Sequence, residues 1–134
     1  MADCKPVDTP AVPNLVLSKN GTPMKKEFPY RSLVGNLLYI AKQTRPDILN
    51  TVNILSRCLE APTEEHLCAA VHLLRYLRGT STIGLAFHSN GQMQLIGAAD
   101  ADFSNDVDDR KSVTGYYFKL KGNGGAISWE CRKQ

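Results

Sequence analysis

The chain has 134 residues, of which 43% are hydrophobic and 22% are charged, and these values fit one globular domain or two small ones rather than a disordered chain. Its formal net charge of +3 arises within residues 1–92, so neither part has the strongly basic character of a dedicated nucleic-acid-binding domain. No apolar run reaches the length of a signal-peptide core or a membrane span, and we therefore expect an intracellular protein, cytoplasmic or nuclear, that is neither secreted nor bound to a membrane.

Residues 1–27 are predicted to form an irregular arm. Several prolines interrupt any regular element there, and Asn20-Gly21 favours a turn. Because the rest of the segment is mostly polar, we expect the arm to be loosely held.

Residues 28–82 show the 3.6-residue periodicity of helices in three stretches. The first has an apolar stripe that begins at Tyr30 and ends at Ala41. The second is predicted to begin at Thr44-Arg45-Pro46-Asp47, where the hydroxyl of Thr44 is the expected N-cap.

The third helix follows a break at Ala61-Pro62. Thr63 is its predicted N-cap, and Gly79 is its predicted end. The expected apolar stripe of this helix consists of Leu67, Ala70, Val71, Leu74 and Leu77.

Residues 83–134 change to the shorter period of β-strands, with turn sequences between the apolar runs. Helices followed by a meander of strands indicate the α+β fold class. The four predicted strands are Ile83–His88, Met93–Asp100, Val113–Leu120 and Ala126–Cys131.

An acidic stretch begins where the second predicted strand ends. Five carboxylates fall between Asp100 and Asp109, and such crowding is relieved by a divalent cation. A solvated acidic loop next to Arg110 and Lys111 explains the same stretch. An EF-hand calcium loop does not fit, because neither register that we tested has the required glycine and glutamate.

Cationic residues offer a second candidate site at the end of the third helix. Arg75 and Arg78 lie one turn apart and could contact phosphates. Compensation of the helix dipole explains both residues equally well. The four cysteines have no zinc-ligand spacing and are expected to be buried free thiols in a reducing compartment.

Several blocks of the sequence, taken together and in order, resemble those of copia-type retrotransposon Pol polyproteins. Each block alone is a weak signal, but the set covers almost the whole chain. The blocks are Asp3–Pro10, Tyr30–Gly35, Thr44–Ile48, Leu73–Thr80, Asp100–Asp102, Asp108–Ser112, Thr114–Tyr116, Ala126–Trp129 and Lys133–Gln134.

This resemblance implies that residues 28–82 correspond to the thumb and connection region of reverse transcriptase, and residues 83–134 to the opening antiparallel strands of a truncated ribonuclease H. It makes Asp100 the first catalytic aspartate and a ligand of Mg²⁺ or Mn²⁺, with Asp102 as a second candidate ligand. It also implies an RNA–DNA hybrid and other Pol segments as partners.

The chain departs from the family pattern around this aspartate, where Ala98 and Ala99 replace Tyr-Ser and Phe103 replaces Trp. The Tyr-x-Asp-Asp polymerase motif does not occur, and the later ribonuclease H carboxylates of the family fall beyond Gln134. We therefore expect the isolated chain to be inactive, with weak or no ion binding and weak nucleic-acid binding. Two alternatives remain open: a domesticated module that binds nucleic acid or protein, and a metal-dependent hydrolase completed by further sequence or by another chain.

Overall fold

A computed structural model describes residues 4–13, 17–18, 21–24, 28–89, 94–102 and 112–134. Within these ranges three helices precede a three-stranded antiparallel sheet of order β1-β2-β3, which confirms the α+β class. None of the helices described is long and apolar enough to cross a membrane. The elements are α1 (Tyr30–Gln43), α2 (Leu49–Leu55), α3 (Glu64–Gly79), β1 (Leu95–Asp102), β2 (Val113–Leu120) and β3 (Ala126–Lys133).

The core of the molecule lies between the three helices. The stripe predicted for α1 is confirmed, since Tyr30, Val34, Leu37 and Ala41 are all buried. The phenol of Tyr30 also donates a buried hydrogen bond of 3.0 Å to the carbonyl of Leu55 at the end of α2. Helices α1 and α2 are therefore joined by apolar packing and by one satisfied polar group.

The start of the second helix differs from the prediction. Thr44 ends α1, where its N–H donates to the carbonyl of Ile40, and it does not cap α2. A 3-10 turn, Pro46–Ile48, precedes α2, and a second 3-10 turn, Ser56–Cys58, follows it. The carbonyls in the last turn of a helix lack partners within the helix. The N–H of Thr44 binds one of them, the carbonyl of Ile40, at the point where α1 ends.

The start of α3 agrees with the prediction at Thr63. The hydroxyl of Thr63 accepts from the N–H of His66, and Nδ1 of His66 accepts from the N–H of Thr63, which makes a reciprocal capping box with histidine in the place of Glu or Gln. The predicted apolar stripe is confirmed only in part: Ala70 is buried and Leu74 and Leu77 pack against the core. The other buried residues of the helix are His66, Ala69 and Leu73, which the prediction did not include. Apolar residues occur on several sides of α3, so periodicity alone did not identify the packed face.

The first predicted strand, Ile83–His88, is absent as a regular strand. Only an isolated bridge between Phe87 and Gly124 joins this stretch to the turn between β2 and β3. Gly124 has a φ of 92°, and a Cβ there would lie 2.6 Å from the carbonyl oxygen of Ala86. The stretch therefore runs along this turn, and Ile83 is 57% exposed, which removes the burial that a core strand would need.

Strand β2 agrees with the predicted run, whereas β1 begins at Leu95 instead of Met93 and extends past Asp100 to Asp102. On the sheet face that carries Tyr116 and Phe118, the ring of Phe118 covers Gly97 of β1, because a Cβ on that glycine would lie 2.5 Å from the ring. An aromatic side chain thus replaces the contact that the glycine cannot make.

Strand β3 attaches the sheet to the helices. The indole N–H of Trp129 donates to the carbonyl of Ala41 in the last turn of α1 at 2.9 Å. The amide of Asn53 in α2 donates to the carbonyl of Cys131 at 2.5 Å. Trp129 and Cys131 also pack against the helical core. Both contacts pair backbone carbonyls with side-chain donors, so this interface is specific as well as apolar.

Substitution of Leu37 by alanine is expected to lower the free energy of unfolding by about 2–5 kcal/mol, because Leu37 is 1% exposed and no neighbour can fill the space fully. Urea denaturation followed by circular dichroism measures the change. Leu95→Ala, at a leucine that is 58% exposed, is the matched control and should cost less than about 1 kcal/mol. Equal losses in the two variants would contradict the assignment of the core.

Candidate functional site

Asp100 lies within β1, where it pairs with Gly115 of β2. Its side chain is exposed, and its Oδ1 accepts a hydrogen bond of 2.9 Å from the N–H of Ala101. It lines a cleft of about 390 Å³ between the sheet and the start of α2, together with apolar residues that include Leu49 and Trp129. The carboxylate is thus held on a regular element and is open to solvent.

The other predicted metal ligands are placed only in part. Asp102 pairs with Val113 at the end of β1, which agrees with the predicted strand parity, but its side chain lies outside the described residues. Asp106, Asp108 and Asp109 also lie outside the described residues.

A divalent metal ion of the ribonuclease H type needs several carboxylates fixed on different elements. Within the described ranges, no three side chains among His, Cys, Asp and Glu come close enough to hold an ion. The described residues therefore supply one candidate ligand, Asp100, and do not by themselves fit a two-metal centre.

Arg75 and Arg78 contact the N-terminal arm. Nε of Arg75 donates to the carbonyl of Lys5 at 2.6 Å, and Nη1 of Arg78 donates to the carbonyl of Cys4. One turn earlier, Nε2 of His72 donates to the carbonyl of Thr9 at 3.0 Å. Among its described residues the arm forms no helix or strand, as predicted, but the hydrogen bonds of residues 4–9 to α3 contradict the expectation that it is loosely held.

Glycine at position 79 contributes to the same contact. A Cβ on Gly79 would lie 2.9 Å from Cβ of Pro6, so only glycine permits this approach without displacing the arm. The arm offers main-chain carbonyls, which accept one hydrogen bond from each of Arg75 and Arg78 and do not neutralise their charges.

Arg45 and Asp47 were predicted only as part of a helix start, yet they form the main polar network of the described residues. Arg45 is 6% exposed and makes a bidentate pair with Asp47, at 2.9 Å from Nε and 2.7 Å from Nη2. Its Nη1 and Nη2 also donate to the carbonyl and the hydroxyl of Thr80, at 3.0 and 2.7 Å. The phenol of Tyr76 donates to Asp47 at 2.9 Å. The sequence offered no local signal for this network, because its halves are far apart in the chain.

Electrostatics within the network favour both charged forms. Desolvation by burial raises the pKa of Asp47, but the hydrogen bonds from Arg45 and Tyr76 and the charge of Arg45 outweigh it, so the pKa of this carboxyl is lowered. The hydrogen bond to Asp47 is the main cause that raises the pKa of Arg45. Desolvation first, and the bond to Asp47 second, raise the pKa of the Tyr76 phenol.

Comparison with known proteins finds relatives of the whole chain. It is 45% identical to the retrovirus-related Pol polyprotein from transposon TNT 1-94 of Nicotiana tabacum, across 100% of this chain and 10% of that protein. It is 42% identical to the retrovirus-related Pol polyprotein from transposon RE1 of Arabidopsis thaliana, across 100% of this chain and 9% of that protein. The chain thus spans about a tenth of the length of these two relatives.

Another relative, which is named as an effector, is much shorter than these two polyproteins. The chain is 44% identical to secreted RxLR effector protein 161 of Plasmopara viticola, across 81% of this chain and 75% of the effector. No protein-family model and no solved structure matches the chain.

Asp47→Asn is expected to lower the free energy of unfolding at pH 7 by roughly 2 kcal/mol, because a buried guanidinium loses its charged partner. The folded-state pKa of Asp47 is lowered, so the stability from this pair is present above the ordinary carboxyl pKa of about 4 and is lost as the pH falls below it. Urea titrations of both proteins between pH 3 and pH 7 measure the difference. A difference that stays constant over this range would contradict the assigned role.

The variant Arg75→Gln/Arg78→Gln is expected to release the arm, because it removes two charge-assisted hydrogen bonds to the carbonyls of Lys5 and Cys4. Cleavage before Asp8 by an aspartate-specific protease should then accelerate at least about tenfold, since it follows the open population. Arg31→Gln, at an exposed arginine of α1, is the control and should leave the cleavage rate unchanged. Equal cleavage rates in all three proteins would show that the two arginine contacts contribute no measurable free energy to holding the arm against α3.

Proposed function

Because this chain belongs to the family of the retrovirus-related Pol polyproteins of transposons, as its relatives show and as the sequence blocks indicated, we propose that it forms the part of a copia-type Pol polyprotein that joins reverse transcriptase to ribonuclease H. The placement of Asp100 carries the most weight. It lies on the first strand of an antiparallel meander, where the resemblance puts the first catalytic aspartate of ribonuclease H.

In this proposal the helical core of α1, α2 and α3 is the thumb- and connection-like part, and the sheet is the ribonuclease H-like part. The packing of Trp129 and Cys131 against the helical core supports a fixed arrangement of the two parts. An RNA–DNA hybrid is the proposed nucleic-acid partner, and other Pol segments are proposed protein partners. Tyr116 and Phe118, 40% and 38% exposed on the sheet, are available for such a contact.

Metal-dependent hydrolysis would need more than Asp100. Mg²⁺ or Mn²⁺ would supply an activated water and stabilise the leaving oxygen, and Asp100 would provide one ligand, with Asp102 as a candidate second one. Ligands must be held within a fraction of an ångström, which requires partners on other rigid elements. We therefore propose that the 134-residue chain by itself binds such ions weakly and does not cleave a hybrid.

A domesticated binding module is the second candidate function. The Plasmopara relative favours it, because the match covers 75% of the length of a protein that is named as an effector. The name of that relative describes it as secreted, whereas an intracellular location is our proposal for this chain. Binding of hybrid without any cleavage, even after other Pol segments are added, would favour the module.

The purified 134-residue chain is expected not to cleave an RNA–DNA hybrid in millimolar Mg²⁺ or Mn²⁺, because a single fixed carboxylate cannot hold two ions. A labelled 20-base-pair hybrid, incubated with the chain and resolved on a gel, measures cleavage. Addition of the downstream Pol segment of a relative is expected to give activity that depends on Asp100.

Asp100→Asn serves as the control, since it keeps the size of the side chain and removes the charge. Metal-dependent cleavage by the isolated chain that disappears in Asp100→Asn would show that the site is already complete, and the proposal of an inactive segment would be wrong. Activity that is equal in both proteins would indicate a contaminating nuclease and calls for repurification before the comparison is repeated.

A further inference from the structure

A cationic cleft of about 440 Å³ lies between the second 3-10 turn and β3, away from Arg75 and Arg78. Its lining includes Lys42, Arg57, Arg132 and Lys133 but only one carboxylate, Glu130. The local excess of three positive charges is as large as the net charge of the whole chain. Such a concentration of charge on one wall marks a site for an anionic ligand.

The cationic surface continues beyond this cleft. A neighbouring cleft of about 380 Å³ shares Ser56 and Arg57 with it and adds Arg31 of α1 and Glu60. A third cavity of about 530 Å³ shares Arg31, which is the one charged residue among the described residues of its lining, and includes Phe28, which is 42% exposed. The three cavities form a path, here called the basic track, that runs from β3 across the second 3-10 turn to the start of α1.

We propose that the basic track binds the sugar–phosphate backbone of nucleic acid; this inference rests on the proposed function and names the surface that performs it. Arginine and lysine bind phosphate oxygens without reading the base sequence, so spaced cations along a path suit a regular polyanion. The aromatic ring of Phe28 at one end offers a stacking surface for an unpaired base.

The ion pair between Lys42 and Glu130 in the first cleft does not oppose this role. Lys42 and Glu130 are 3.5 Å apart, with side chains that are 46% and 34% exposed. Pairs of this kind contribute about 0–1 kcal/mol, so a phosphate can compete for the lysine. By contrast, one donor of Arg75 and one donor of Arg78 already bind the arm.

The chemistry of the track favours nucleic acid over a lipid surface or an apolar protein partner. Among the described residues that line it, Phe28 is the one exposed large apolar side chain. Insertion into a membrane or a protein hot spot needs more apolar anchors than this.

The test compares three variants in binding a fluorescent 20-base-pair RNA–DNA hybrid by anisotropy, across 50–200 mM salt. Lys42→Gln/Arg132→Gln removes two exposed charges from the track, and Lys5→Gln/Lys121→Gln removes two exposed charges elsewhere. The track variant should bind on the order of tenfold more weakly at 50 mM salt, and its salt slope should fall by roughly 1.8, because each phosphate contact contributes about 0.9. The control variant should keep the slope and lose no more than about twofold. Lys42→Arg/Arg132→Lys, which conserves charge, should retain binding.

The outcomes separate the two proposals. If the unmodified chain does not bind the hybrid, both the proposed function and the track are overturned. If it binds but the track variant and the control variant weaken equally, the track is overturned and the proposed function stands. Binding to phosphatidylserine vesicles in preference to the hybrid would also overturn the track.

Discussion

The buried guanidinium of Arg45 determines how the helices meet. A desolvated cation is costly unless every donor finds an acceptor, so the end of α3 has to bring the carbonyl and hydroxyl of Thr80 to it. Asp47 supplies the counter-charge from the 3-10 turn that follows Arg45. The phenol of Tyr76 donates to Asp47, and its ring lies under the guanidinium, 5.4 Å from ring centroid to Cζ. This network fixes the direction of the last turn of α3. The position of the N-terminal arm depends on this turn, because the residues that bind the arm lie on the last two turns of α3.

The sheet depends on the helices through β3. Trp129 satisfies a carbonyl at the end of α1, and the neighbouring Lys42–Glu130 pair lies at the same junction. This docking brings cations of the helical part close to those of the strand. The cleft between Arg57 and Arg132 therefore exists only when both parts are folded, which links the proposed nucleic-acid surface to the correct assembly of the whole chain.

Sequence patterns predicted the features that depend on neighbours in the chain. The stripe of α1, the cap at Thr63 and the three paired strands follow from local periodicity and capping chemistry. Asp100 was placed on a strand for the same reason. The network of Arg45 was not predicted, because a charged residue is normally solvated and Thr80 is 35 residues away. The docking of the arm could not be predicted either, since every residue has a carbonyl and nothing in the sequence marks those that bind.

The contact between Trp129 and Ala41 spans 88 residues of sequence, and this has a consequence for the order of events on the ribosome. At about 5–20 residues per second, a chain of that length takes roughly 4–18 s to synthesise. Helices form within microseconds, so the helical core is complete long before β3 emerges. For those seconds the last turn of α1 exposes to solvent a carbonyl that is hydrated by water instead of bonded to the indole, together with uncovered apolar surface. A chaperone that recognises such surface has a defined interval in which to act on the nascent chain. This interval ends when the indole of Trp129 donates its hydrogen bond to the carbonyl of Ala41.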